Sequence, residues 1–423
     1  MSLAGSAAAS GRRRVVVTGL GAVTPVGNDV PTFWQSLMAG KVGTARLEGF
    51  DLADLEVTIG AQVKGFDPTQ RLDPKLAKRS DRFVQFALWA ADEAVRSAGL
   101  DTTKLDADRA GVIVGSGMGG VQTWESHHAL FLQRGPKRVS PLLIPMMIPD
   151  MAAGQIAISY GLRGPNYDTT SACASGAHAT GAAFRHIVAG DADVMIAGGS
   201  EAAITRFTVS GFANMGALSK RNDTPETASR PFDRDRDGFI IAEGCGIYVL
   251  EELEYARRRG APIICEMAGF GATADGHHIT APDPEGRGAI NAMRMAIADA
   301  GLAVSDIDYI NAHGTSTPLN DATEVKAIGD LFGQYARQLA VNSTKSMIGH
   351  GLGSAGAMEF VAMALQIKHG RVHATVNFEN PDGGVNLDFV KGGPRDLKIR
   401  AALSNSFGFG GHNCCLCVKA FAG

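Results

Sequence analysis

The sequence has no run of eighteen or more uncharged apolar residues, and so nothing that reads as a membrane span. Of its six cysteines (Cys173, Cys245, Cys265, Cys414, Cys415 and Cys417), only Cys414 and Cys417 stand at C-x-x-C spacing, inside one apolar run, and no secretory h-region precedes them. Reduced thiols and a cytoplasmic setting are the resulting expectation. There is no low-complexity tract. The formal net charge is only −3, which gives no global attraction to nucleic acid and leaves any anionic partner to a local patch. The first dozen residues, MSLAGSAAASGR, are small and polar, have no h-region and are short for a transit peptide; they read as a disordered tail. The Cys414-Cys-Leu-Cys-Val418 run reads as a buried strand, because adjacent cysteines suit tetrahedral zinc poorly.

What is present is a chain of 423 residues, 45% apolar and 20% charged, rich in Gly and Ala. That length allows two or three ordinary domains or one large duplicated one. Short β-branched runs alternate with helix-length segments. Arg14–Thr18, Gly111–Val114, Asp193–Ala197 and Gly246–Glu251 read as strands in the first half. Ile263–Met267, Asp308–Asn311, Leu339–Asn342 and Leu416–Val418 read so in the second. Amphipathic stretches at 81–99, 287–301 and 322–332 lie between them. Continuous apolar strands alternating with helices predict α/β architecture, with sheets covered on both faces. The similar spacing of the halves points to a duplication, with the seam near 255–262. Long insertions are expected to carry a substrate channel.

Three segments carry candidate chemistry. In Asp168-Thr-Thr-Ser-Ala-Cys173-Ala-Ser-Gly-Ala-His178, small turn-forming residues lead into a helix over 177–188. Cys173 would then sit at a helix N-terminus, where unpaired amides favour thiolate and lower the thiol pKa from its usual ~8.5. On this segment alone, a core cysteine beside a tight turn is the better reading. Asn311-Ala-His313-Gly-Thr-Ser-Thr-Pro318 places a histidine at a strand-to-loop junction, which core packing explains poorly. Ser343-Thr-Lys345-Ser-Met-Ile-Gly-His350-Gly-Leu-Gly353 is a glycine-rich loop that opens a helix and carries a lysine and a second histidine. A fourth loop, Asn405–Gly411, offers flexible backbone with two aromatics. One Cys, two loop His and a Lys at strand ends are seldom all structural.

These motifs, with Gly190–Gly199 and Ser229-Arg-Pro-Phe-Asp233, resemble the β-ketoacyl-[acyl-carrier-protein] synthases of the elongating type II kind, in the thiolase-like superfamily. The resemblance runs from about Arg13 to Val418. It implies a duplicated five-layered αβαβα fold with two mixed sheets, divided into residues 12–260 with the nucleophile and 261–423 with the two histidines. It also implies acyl transfer to Cys173, then decarboxylative condensation with a malonyl thioester assisted by His313 and His350. Cys173 and Phe409 would supply oxyanion N–H groups. Lys345 would belong to a charged network with Glu359 and Asp321, orienting His313. Thr315 and Thr317 match pantetheine-binding positions. Phe409 matches a gate residue with Phe407 behind it, and Met118 matches a wall of the acyl pocket. No cofactor is implied. The implied partners are acyl- and malonyl-loaded acyl carrier protein and a second copy of the chain, with no nucleic acid or membrane. Lys78, Arg79, Lys137 and Arg138 are candidates for carrier docking, from the wider runs Lys75–Arg82 and Arg134–Arg138. Departures from the family pattern at Asn320, Gly351 and His412 avoid the catalytic positions.

Other readings stay open at this stage. Gly115-Ser-Gly-Met-Gly-Gly120 matches G-x-G-x-x-G after a strand, the mark of a dinucleotide site, but no clear helix is expected to follow it. Close packing explains the same glycines better. A Cys–His hydrolase would not need the second histidine or the lysine. A non-catalytic chain-length partner subunit usually lacks the nucleophile, and an active polyketide ketosynthase would share the same triad.

Overall fold

In the computed structural model the described residues are 11–382 and 387–422. Most of the segment read as a tail thus lies outside the described residues, while its last member, Arg12, pairs with Asp299 at 3.0 Å. Eleven strands form the main sheet: β1 (Val15–Val23), β2 (Ala110–Gly115), β3 (Asn166–Tyr167), β4 (Val194–Glu201), β5 (Gly244–Glu252), β6 (Cys265–Ala274), β7 (Tyr309–Asn311), β8 (Ala340–Asn342), β9 (Asp388–Phe389), β10 (Ala401–Gly408) and β11 (His412–Lys419). The principal helices are α1 (Arg82–Ser97), α2 (Val121–Arg134), α3 (Met151–Tyr160), α4 (Ser175–Ala189), α5 (Arg287–Asp299), α6 (Pro318–Phe332) and α7 (Ala355–His369).

The spatial order is β9-β8-β7-β10-β11-β6-β1-β5-β4-β2-β3. In the first half β1 runs antiparallel to β5 and β5 antiparallel to β4, after which β4, β2 and β3 are parallel. The second half repeats this: β6 antiparallel to β11, β11 antiparallel to β10, then β10, β7 and β8 parallel. The two mixed half-sheets are joined by a short antiparallel ladder, Val15–Val17 of β1 against Cys265–Met267 of β6. Helices α1 and α3 cover the outer face of the first half-sheet, α4 and α7 lie between the half-sheets, and α5 and α6 cover the second. The architecture is therefore a duplicated five-layered αβαβα fold.

Two pairs of glycines make that layering close. A Cβ on Gly19 or Gly21 of β1 would lie 2.1 or 1.9 Å from the carbonyl oxygens of Ala94 and Ala90 on α1. On β6, a Cβ on Gly269 or Gly271 would lie 2.1 Å from the carbonyl oxygens of Ala296 and Ala292 on α5. Each half brings its outer helix onto the sheet backbone through the same G-x-G step, which no side chain could occupy.

Several expectations are corrected here. Asn405–Gly408 is the end of β10, and only Phe409–Gly411 forms the turn into β11, because Gly410 and Gly411 take positive φ (85° and 74°). A helix, α2, does follow the Gly115–Gly120 segment. Those glycines nonetheless leave no room for a pyrophosphate: a Cβ on Gly115 would meet the Ser175 carbonyl carbon at 2.4 Å, and one on Gly120 the Met146 carbonyl oxygen at 2.4 Å. The run Cys414–Cys417 lies in β11, and all six cysteines are free and buried.

Candidate active site

The helices of the middle layer begin in matching ways. A 3-10 turn, Ala172–Ala174, precedes α4, and another, Leu352–Ser354, precedes α7. Ala172 and Leu352 adopt positive φ of 50° and 51°, an uncommon conformation for side-chain-bearing residues that persists where the surroundings impose it. Ser316, between the two threonines of the His313 loop, is held at φ 69°. Backbone strain thus recurs in all three segments singled out in the sequence.

These segments converge. A cavity of about 380 Å³ is lined by Cys173, His313, His350, Phe407 and Phe409, with Thr315 and Thr317 further along it. Further wall comes from Phe212, Met215–Ala217, Asp237–Phe239 and Thr280–Pro282. The rings of His313 and His350 lie edge to face with centroids 5.4 Å apart, and Phe407 packs 5.6 Å from His313. The Thr315 and Thr317 hydroxyls are hydrogen-bonded at 2.8 Å.

Cys173 sits before the first residue of α4, but the thiol is not simply acidified. Burial pushes it up to about 12, opposed by the positive charge of Lys345 and by the backbone N–H groups of Phe409 and Cys173. The expectation of a lowered pKa counted the helix end and not the water excluded by the surrounding core. Both histidines are held well below the usual imidazole value, chiefly by burial and then by the Lys345 charge, so both rings are neutral near pH 7. Lys345 Nζ donates to the His313 carbonyl oxygen (2.7 Å), lies 3.4 Å from His313 Nδ1, and is ion-paired with Glu359. With Lys345 beside Nδ1, the proton of His313 belongs on Nε2.

Two carboxylates alter the expected network. Asp321 is buried but does not join Lys345. It accepts from the Phe232 N–H (2.8 Å) and lies 3.7 Å from Arg236, because it sits on the first turn of α6, facing the Ser229–Asp233 segment. One turn later, Glu324 accepts from the N–H groups of His313 and Gly314 (both 2.8 Å) and from Asn405 (3.0 Å). Sequence reading missed Glu324, although its i+3 spacing from Asp321 puts both on one helix face. It also missed Glu201, the last residue of β4, which is fully buried. Met118 does not line the cavity; its side chain is 39% exposed in the single chain. Of the basic candidates, Arg82 is tied to Glu243 at 2.8 Å, whereas Lys78, Arg79, Lys137 and Arg138 are exposed.

A duplicated αβαβα fold with one cysteine and two histidines around a single cavity is the arrangement of the thiolase-like condensing enzymes. The chain belongs to the β-ketoacyl synthase family: residues 12–256 match the family's N-terminal domain and 264–379 its C-terminal domain. It is 52% identical over 410 residues to a 3-oxoacyl-[acyl-carrier-protein] synthase 2 of Synechocystis sp., covering 97% of this chain and 99% of that one. It is 48% identical to a protein of the same name from Staphylococcus aureus, covering 97% and 99%. Among solved structures it resembles a β-ketoacyl synthase from Burkholderia phymatum, with a TM-score of 0.91, 34% identity, and 97% and 100% coverage. It is equally similar to a type II polyketide ketosynthase in complex with its acyl-carrier protein and bound to a hexaketide (TM-score 0.91, 34%, 97% and 100%). Among the described residues, no helix is long and apolar enough to cross a membrane.

Proposed function

We propose that this chain is a 3-oxoacyl-[acyl-carrier-protein] synthase that extends acyl chains by two carbons in fatty acid elongation. The observation that carries the residue assignment is the meeting of one sulfur and two neutral imidazoles in one cavity. Cys173 attacks the acyl thioester; an acyl-cysteine forms, the thioester bond breaks, and the thiol proton leaves with the carrier thiol. The N–H groups of Cys173 and Phe409 stabilise the oxyanion. Malonyl-carrier then replaces the first carrier. His313 and His350 donate to its thioester carbonyl as carbon dioxide departs, and the enolate carbon attacks the acyl-cysteine and expels the thiolate. Neutral rings suit this step, since each can donate one hydrogen bond without a buried charge. Loss of carbon dioxide drives bond formation, so the chemistry needs no cofactor.

In this reading the threonines at 315 and 317, which line the cavity, hold the pantetheine arm, and Phe409, on a two-glycine turn, gates the cavity. Relatives at about half identity are named 3-oxoacyl-[acyl-carrier-protein] synthase 2, against 34% identity for the polyketide ketosynthase. Fatty acid elongation is therefore favoured over a polyketide role. Large apolar side chains left exposed concentrate between Met118 and Tyr167, including Leu132, Ile144 and Ile158, and the unpaired edge strand β3 lies at their end. A second copy covering that strip would bury it and close a pocket around Met118. A chain that sediments only as a monomer at micromolar concentration would refute the homodimer. Six free buried thiols fit a cytoplasmic setting.

The direct test is incubation with acyl-carrier-protein of graded length plus malonyl-carrier-protein, with products read by mass spectrometry. Wild type makes 3-oxoacyl products and Cys173→Ala makes none while still decarboxylating malonyl thioester. Free fatty acid in place of the ketoacyl product would point to a hydrolase instead.

A further inference from the structure

Glu201 is a fully buried carboxylate for which the reaction above has no use. It stands at the end of β4, which occupies in the first half the place that β10 takes in the second. The end of β10 closes on the Cys173 turn: a Cβ on Gly408 would meet Ser171 O at 2.6 Å and Cys173 N at 3.2 Å. The end of β4 closes on the corresponding turn of the other half, Leu352–Ser354, where the middle position is Gly353. There is no room for a side chain there, because the place is filled by the Ser116–Gly117 backbone and by Glu201: a Cβ on Gly353 would lie 2.3 Å from Gly117 N and 2.6 Å from Glu201 Oε2. The carboxylate takes four donors. Oε2 accepts from the N–H of Gly117 (2.7 Å) and of Gly353 (3.0 Å). Oε1 accepts from the Ser116 hydroxyl (3.0 Å) and from the N–H of Met118 (3.2 Å).

Three of those donors belong to the loop that follows β2 and one to the turn three residues after His350. We infer that Glu201 is a positioning residue: it ties the turn after His350 to the Ser116–Met118 loop across the two halves, and so fixes the His350 ring relative to Cys173. Four donors on one buried carboxylate define its place closely, since moving either loop leaves a buried N–H unpaired. A second consequence follows from charge. Glu201 is close enough to Cys173 to oppose ionisation of the thiol, whereas Lys345 favours it. Burial pushes the Glu201 carboxyl up to about 7, so above that pH removing its charge should make the thiol easier to ionise even as it loosens the geometry. A side chain with a merely structural role would not produce that pairing of effects.

The inference rests on Cys173 and His350 having the roles proposed above, and the test keeps the two levels apart. In Glu201→Gln, condensation turnover should fall by roughly tenfold or more, with KM for acyl-carrier-protein changed by less than about twofold. In the same variant, the pH profile for alkylation of Cys173 by iodoacetamide should move to lower pH by about half a unit or more. Ser116→Ala removes one donor and keeps the charge, so it should lower turnover severalfold without moving the alkylation profile. An unshifted profile in folded Glu201→Gln, or turnover within about twofold of wild type, overturns the inference. So does wild-type turnover in Ser116→Ala, should Glu201→Gln fail to fold. Residual condensation by Cys173→Ala would instead defeat the underlying assignment of the nucleophile, whatever Glu201 does.

Discussion

Cys173 has to give up its proton in a place where burial pushes its thiol to about 12. For a thiol, a raised value means the neutral form dominates up to that pH, so thiolate is scarce at pH 7 and grows as pH rises. Alkylation of the resting enzyme by iodoacetamide should therefore climb by about tenfold per pH unit between pH 7 and 9 without a plateau. A plateau below about pH 8 would show that the helix end and Lys345 outweigh desolvation. The buried carboxylates also divide by role at this scale. Glu324 holds the backbone under His313, and Asp321 holds the Phe232 segment. Glu324→Gln replaces an acceptor of three donors with an amide whose NH₂ opposes one of them. A shift of the ring by an ångström is worth about a hundredfold in turnover. Asp321→Asn should cost much less, under about tenfold, because its partners lie behind the loop. Equal losses in kcat for the two would refute the division. Position along the chain pointed to Asp321; only the contacts separate it from a neighbour one turn away.

The strands and helices were legible wherever apolar period and length agreed. The stretches at 81–99 and 287–301 are α1, trimmed at both ends, and α5, trimmed at its C-terminal end, and each second-half strand run overlaps an observed strand. β10 escaped because its last four residues, Asn405–Gly408, carry the composition of a loop while pairing with β11 through to His412. Asn-Ser-Phe-Gly is held extended by β11 on one side, the β7 ladder stopping at Ser404, an override of local propensity by sheet context. The duplication was visible only as spacing, since its shared device is two glycines in β1 and two in β6 that any turn could also use. Those glycines make a prediction at this scale. Gly21→Ala and Gly271→Ala each drive a methyl into a helix carbonyl and should destabilise by about 1–3 kcal/mol or more. Gly211, inside the helix Arg206–Asn214, has open space around its Cα. Gly211→Ala should therefore stabilise by about 0.5–1 kcal/mol. Thermal or urea denaturation of the three variants decides it, and a neutral Gly21→Ala would mean that α1 can move off the sheet.

For the molecule as a whole, the net charge of −3 says little about a partner, because it averages over surfaces of opposite character. The basic runs are where a partner of negative charge would be met. Within them the structure draws a distinction that the sequence could not: Arg82 is tied to the buried Glu243, whereas Lys78, Arg79, Lys137 and Arg138 project into solvent. An exposed cation without a fixed partner costs little to bring against an acidic surface and acts mainly on encounter. If Lys137 and Arg138 receive an acidic carrier protein, reversing both to Glu should raise KM for carrier-bound substrate by about tenfold and leave kcat nearly unchanged. The same variant should use small acyl and malonyl thioesters as well as wild type does, since those reach the cavity without docking. Because exposed charges are screened over about 8–10 Å at physiological salt, the gap between variant and wild type should close as ionic strength rises. A KM that rises equally for carrier-bound and small thioesters would place the effect in the cavity and not on the docking face. A KM that does not move at all would leave both residues as solvated surface.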